Sequence, residues 1–168
     1  MSVVVQDNFL DKEYFEGLQD EIIGELNHFP WRFSMITYDS VGYQMVHPVY
    51  ENGNGCSKIY NKFIPFFEKL DAYSLQRVKI NLLKREEKII EHGMHIDIAY
   101  APENALTSIL YINTNNGYTK FENGDKVESV ENRLVTFPNN LRHTGSTNTC
   151  EVPYRCVMNI DWIKKENK

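Results

Sequence analysis

From Leu75 onward the sequence becomes a succession of short apolar runs cut by turn clusters, and that rhythm constrains the fold more than any other feature. "LQRVKINLL", "GMHIDIAY", "LTSILYIN", "YTKFE", "KVESV", "RLVTFP" and "YRCVMNIDWI" each have the length and composition of a strand. "ENGDK" between two of them reads as a hairpin turn. Many short strands in succession bury their apolar faces by stacking into a sandwich or jelly roll. Before them, "DNFLDKEYFEGLQDEIIGELN" predicts an amphipathic helix with Asp11 as N-cap and Phe15, Leu18, Ile22, Ile23 and Leu26 as its apolar stripe. "SKIYNKFIPFFEKLDAY" predicts a second helix, with Ser57 as cap and Pro65 either kinking it or starting it anew. "WRFSMITY" between them predicts a strand, and "DSVGYQMVHPVYENGNG" a long loop. The expected architecture is mostly β with supporting helices: a jelly roll with two N-terminal helices. One domain is expected over 1–168, with helical support in 1–74 and the β core in 75–163.

A chain of 168 residues can bury a sizeable core. Its net charge of −5, with no basic stripe, gives no reason to expect nucleic acid as a partner. The densest basic stretch, "LLKREEKIIE", carries its own acids and reads as a solvated turn. Three cysteines, Cys56, Cys150 and Cys156, form no CxxC pair, which fits a reducing compartment and a cytoplasmic location. No apolar run approaches membrane-spanning length, so no membrane partner is expected.

Within "GMHIDIAY" two polar residues break the apolar pattern. Side chains two apart on a strand leave on the same side, so His95 and Asp97 point together, away from Met94, Ile96 and Ile98. His92, three before His95, would by the same rule point to the opposite side. The later strands offer one further histidine, His143, just after the apolar run "RLVTF". Two histidines and one carboxylate on one side of a metal leave its other side open, the donor set of non-haem Fe(II) oxygenases. Arg155, twelve residues after His143, shares a strand face with Val157 and Asn159. A buried arginine needs an acid partner, and a dicarboxylic co-substrate would supply one. Arg77, Lys79 and Asn81 also share one strand face, without an assigned role for the two cations.

With these residues in place, the sequence resembles the 2-oxoglutarate/Fe(II)-dependent oxygenases, and within them the prolyl-4-hydroxylase-like group. The resemblance covers roughly residues 75 to 162, and "TSILYIN" and "NGYTKF" also match segments that members carry between the iron ligands. It implies a double-stranded β-helix, with His95, Asp97 and His143 as metal ligands and catalytic centre. It implies Fe(II) as metal, 2-oxoglutarate and dioxygen as co-substrates, and Arg155 as the holder of the distal carboxylate. Tyr111, fourteen residues after Asp97, would hydrogen-bond the same carboxylate. Asn81 and Asn159 would line the co-substrate pocket. "KREEKIIEHG" departs from the Gly-rich approach that many members have before the first ligand. The implied activity is hydroxylation of a peptidyl proline, another protein side chain or a small molecule. The alternative is a metal-binding jelly-roll module without catalysis, which a closed structural zinc site with a fourth protein ligand would mark.

Overall fold

The structure is a computed structural model and describes residues 2–25, 28–36, 42–99 and 101–165. Its framework is one antiparallel sheet with strands β1 (Val4–Gln6), β2 (Arg32–Met35), β3 (Tyr43–Glu51), β4 (Asn54–Gly55), β5 (Ala72–Lys84), β6 (Ala105–Tyr111), β9 (Leu134–Pro138) and β11 (Tyr154–Lys164). They run in the order β1-β9-β6-β11-β5-β3-β2, with β4 paired to β3. A smaller sheet holds β10 (His143–Gly145), β7 (Tyr118–Phe121) and β8 (Lys126–Glu128), in that order.

The large sheet is covered on both sides, and the period of two decides what each side receives. From β11, Cys156, Met158, Ile160 and Trp162 join Val78 and Ile80 of β5 in a core with the helical residues Phe15, Leu18, Ile22, Phe66 and Leu70. From the opposite side, Ile109, Tyr111, Val135, Phe137 and Val157 pack against Phe121 and Val127 of the small sheet. Arg155, Asn159, Asp161, Arg77, Lys79 and Asn81 fall on that second side too, towards the space between the sheets.

Helix α1 (Lys12–Ile23) starts where expected, because Asp11 Oδ1 accepts the backbone N–H groups of Glu13 and Tyr14. Phe15, Leu18 and Ile22 are its buried stripe, and Leu26 lies outside the described residues. The second helical segment is a 3₁₀ turn, Tyr60–Phe63, followed by α2 (Ile64–Leu70), so Pro65 marks a new start in the first turn, where no N–H is needed. Ser57 is not the cap expected of it: Ile59 takes the N-cap position without a side-chain cap, and Ser57 Oγ accepts the Ile59 N–H at 3.2 Å in the turn before it.

Three further expectations are corrected. The two helices expected in 1–74 are not both N-terminal, since the second follows β2, β3 and β4, and β1 precedes both. The segment expected as a long loop is mostly β3, an inner strand between β2 and β5. Pro48 disguised it, and the strand tolerates the missing N–H because its pairing with β5 shifts register between Pro48 and Tyr50. Its end turns at Asn52 and Gly53, both with positive φ, a two-residue hairpin into β4. Consequently His47 is a strand residue and 7% exposed rather than a loop histidine. Finally, the described residues of "GMHIDIAY", 93–99, form no strand. Among them the only pairing is an isolated bridge between His95 and His143, and Ile96 faces outward.

Candidate active site

That single bridge assembles the site. His95 and His143 exchange both backbone hydrogen bonds at 3.0 Å, which places their rings 4.9 Å apart, between centroids. Each ring is then oriented by its own chain. His95 Nδ1 donates to the Gly93 carbonyl at 3.0 Å and His143 Nδ1 to the Leu141 carbonyl at 3.2 Å. A carbonyl only accepts, so each Nδ1 carries a proton, and in its neutral form each ring offers the Nε2 lone pair, the tautomer that binds a metal. Asp97 completes the set, with its Oδ2 3.4 Å from His143 Nε2 and no hydrogen bond of normal geometry to that oxygen. The donor atoms of His95, Asp97 and His143 lie within 4.8 Å of one another, and among the described residues no fourth His, Cys, Asp or Glu joins them.

The other oxygen, Asp97 Oδ1, accepts from Arg77 Nη2 at 2.8 Å, and Arg77 is shared with Asp161 Oδ2 at 2.9 Å. Thr107 donates to Asp161 Oδ1 at 2.9 Å. Burial alone would raise the Asp97 carboxyl, but His143, then Arg77 and Lys79, outweigh it and hold its pKa below the usual carboxylate range. Asp161 goes the other way. Burial, then the neighbouring Asp97 charge, push it up to about 6 against the pull of Arg77.

Around this group lies a cavity of ≈ 60 Å³ lined by Lys79, Asn81, His92, His95, Asp97, Thr119, His143, Gly145, Arg155 and Asn159, among others. One water needs about 10–15 Å³ on this measure, so the space suits a few waters or one small acid and not a bulky ligand. Five buried side-chain atoms in the described residues lack a hydrogen-bond partner, and four of them belong to this lining: Asn81 Oδ1, His92 Nε2, Asp97 Oδ2 and Asn159 Oδ1. Orphaned polar atoms are rare in native interiors, and their gathering here marks a space shaped for a polar ligand.

Arg155 sets the sign of that ligand. It is 3% exposed, its Nε donates to Ser129 Oγ at 2.8 Å and its Nη2 to Thr119 Oγ1 at 3.2 Å. Among the described residues no carboxylate pairs with it, and burial lowers its pKa. The segment "NGYTKF" explains how the guanidinium fits. A Cβ on Gly117 would stand 2.6 Å from Arg155 Cδ and 2.9 Å from the Thr147 carbonyl oxygen. Thr119 contacts the guanidinium, and Phe121 packs near the His143 ring. Gly117→Ala is therefore expected to cost about 1–3 kcal/mol through overpacking, read as a lower denaturation midpoint. An unchanged midpoint would mean the Arg155 side chain is free to move aside.

His95, Asp97, His143, Arg155, Asn81 and Asn159 thus gather round one cavity. Tyr111 does not reach it. Its ring lies behind Arg155, 5.6 Å from Cζ, and its hydroxyl sits 2.8 Å from Thr119 Oγ1 and 3.3 Å from the Val127 carbonyl. Thr119 occupies the cavity wall in its stead. His92 departs from expectation in the opposite sense, since it lines the cavity. The strand rule does not apply to a segment held by two isolated bridges, Glu91 to Ser146 and His95 to His143, rather than by a ladder. Arg77, Lys79, Thr119 and Ser129 had no role assigned from sequence, although the shared face of Arg77, Lys79 and Asn81 was visible there. Of the tyrosines in and beside the segment expected as a long loop, Tyr43 and Tyr50 lie on β3, and Tyr38 falls outside the described residues.

The fold is that of the 2-oxoglutarate/Fe(II) oxygenases. A 2OG-Fe(II) oxygenase family oxidoreductase from Burkholderia pseudomallei is similar at TM-score 0.68 and 12% identity, over 98% of this chain and 86% of that one. A Pseudomonas putida prolyl-4-hydroxylase is similar at TM-score 0.60 and 13% identity, over 98% and 93%. A Trichoplax adhaerens prolyl hydroxylase, solved with a hypoxia-inducible-factor peptide fragment, is similar at TM-score 0.67 and 13% identity, over 96% and 83%. No protein-family model and no curated protein matches the sequence. Among the described residues no helix is long and apolar enough to cross a membrane, and all three cysteines are free.

Proposed function

We propose that residues 1–168 act as one Fe(II)- and 2-oxoglutarate-dependent dioxygenase domain. The observation that carries this reading is the meeting of two histidine rings and one orphaned Asp97 oxygen with a buried arginine that has no acid partner among the described residues. The donor set fits Fe(II): two imidazoles and one carboxylate, with no fourth protein ligand among the described residues to close it. His95, Asp97 and His143 would hold the ion, and Arg155 the distal carboxylate of 2-oxoglutarate. Iron and keto-acid together supply the oxidation of a C–H bond by dioxygen, with release of succinate and carbon dioxide. The chain's own contribution is to fix the ligands through the Gly93 and Leu141 carbonyls and Arg77, and to keep bulk water out.

The fold supports prolyl or other peptidyl hydroxylation by analogy, since one of the similar proteins was solved with a peptide. The cavity wall beside Asp97 adds its own requirement. It carries Lys79, Asn81 and Asn159, so the group presented to the metal meets a polar and cationic surface. Asp97 also argues against halide chemistry, because its carboxylate occupies the position a halide would need.

The test is anaerobic addition of Fe(II) and 2-oxoglutarate, followed by visible absorption and then by succinate formation in air. A weak charge-transfer band and slow uncoupled succinate are expected from the parent, and neither from His143→Ala. A parent that binds metal but shows no band and makes no succinate would instead be the non-catalytic metal-binding module.

A further inference from the structure

We propose that His92 is a second anchor for the co-substrate, donating a hydrogen bond from Nε2 to the same distal carboxylate that Arg155 holds. This rests on the oxygenase reading above. His92 and Arg155 line the same cavity, and His92 Nε2 is one of the orphaned atoms. The position is fixed by the backbone. The His92 N–H donates to the Gly145 carbonyl at 3.3 Å, and the His92 carbonyl accepts from the Thr144 hydroxyl. Gly145 in turn lies against the guanidinium, since a Cβ there would fall 3.3 Å from Arg155 Nη1. One stretch of β10 thus carries the metal ligand His143, ties down His92 and borders Arg155.

The two groups complement each other. A carboxylate offers about four acceptor positions, and a guanidinium fork uses two of them. Arg155 has already spent Nε on Ser129 and one Nη2 hydrogen on Thr119, while Nη1 lies beside Gly145, whose carbonyl accepts the His92 N–H. A buried imidazole N–H without an acceptor is unfavourable, and an anion lodged between His92 and Arg155 removes that cost along with the larger one of the lone guanidinium. Burial, then the nearby Arg155 and His95, keep the His92 pKa below its ordinary value. The neutral ring retains one N–H for donation. His92 stands outside the three-donor metal group, so its role is separable from metal binding.

The experiment is calorimetric titration of the Zn(II)-loaded protein, a redox-inert stand-in, with 2-oxoglutarate and with 2-oxobutyrate. The second acid has the same keto-acid head and no distal carboxylate. His92→Phe keeps the ring shape without the donor, and His92→Gln restores a donor at similar reach. His92→Phe is expected to raise the 2-oxoglutarate Kd at least about tenfold, as loss of a charge-assisted hydrogen bond does. Zn(II) affinity and the 2-oxobutyrate Kd should stay at the parent values, and His92→Gln should remain within about threefold for 2-oxoglutarate. An unchanged 2-oxoglutarate Kd in His92→Phe overturns the proposal, and so does an equal loss for both acids, which would mark a merely structural histidine. If the parent protein itself shows no preference for 2-oxoglutarate over 2-oxobutyrate, the oxygenase reading fails and this proposal falls with it.

Discussion

Arg155→Met is expected to abolish high-affinity 2-oxoglutarate binding while leaving the ligand-free protein as stable as the parent or slightly more so. The two halves come from one fact. The guanidinium is 3% exposed and meets two hydroxyls but, among the described residues, no carboxylate. A charge held in that state is a debit against folding, and replacing buried ionic groups with apolar ones of similar volume is often neutral or stabilising by about 1–4 kcal/mol. Here Ser129 and Thr119 each lose a partner, which offsets part of the gain. Stability within about 1 kcal/mol of the parent is the expected balance. In the complex the same guanidinium faces an anion in a water-poor cavity. Truncating one member of a buried charge pair costs about 2–5 kcal/mol, a weakening of roughly 30-fold to several thousand-fold. Thermal unfolding of the Zn(II)-loaded protein with and without 2-oxoglutarate reads both effects. The parent's melting temperature should climb with ligand, and the variant's should start level and not respond. A variant that is strongly destabilised without ligand would make Arg155 a framework residue and remove the argument for an acidic co-substrate.

Much of this site could be read from the sequence because a strand's period of two is a geometric rule. Arg155, Val157 and Asn159 against Cys156 and Met158 in β11 divide as the alternation requires, and so do Arg77, Lys79 and Asn81 against Val78 and Ile80 in β5. His95 and Asp97 converge for a different reason than expected. Their segment is held by isolated bridges, Glu91 to Ser146 and His95 to His143, not by a strand ladder, and the same difference turns His92 into the cavity. Strand β3 was hidden by Pro48 and its flanking glycines, which are turn signals unless a register shift absorbs them. Tyr111 shows the limit of face assignment, because the period says which side of the sheet a side chain leaves and not how far it reaches. Its hydroxyl is taken by Thr119 before the cavity begins. The pairing of Arg77 with both Asp97 and Asp161 was beyond sequence reasoning, since it joins β5, β11 and the bridge segment across 84 and 20 residues of chain.

That pairing supports the second large effect, a loss of about 3–5 kcal/mol of stability in metal-free Arg77→Met at neutral pH. Arg77 keeps some contact with solvent at 24% side-chain exposure, whereas its partners do not: Asp97 is 4% exposed and Asp161 1%. Without the guanidinium two buried carboxylates face each other, and Asp161, already pushed up to about 6, must rise further. A carboxyl whose folded pKa exceeds its unfolded value near 3.9 binds more protons in the folded state between those values. Its stabilising share is therefore complete at low pH and lost as pH rises through the folded pKa. The deficit of Arg77→Met relative to the parent should accordingly shrink between pH 7 and pH 5. Two further arms locate the cost. Adding Asp161→Asn to the variant removes one of the stranded charges and should recover a large part of the loss at pH 7. Zn(II) should recover another part, because an ion on Asp97 Oδ2 neutralises the other carboxylate. Denaturant midpoints at the two pH values, with and without Zn(II), measure all of this. If Arg77→Met matches the parent throughout, then water screens the three-residue network. In that case Arg77 cannot be what turns Asp97 Oδ1 away and leaves Oδ2 for the metal.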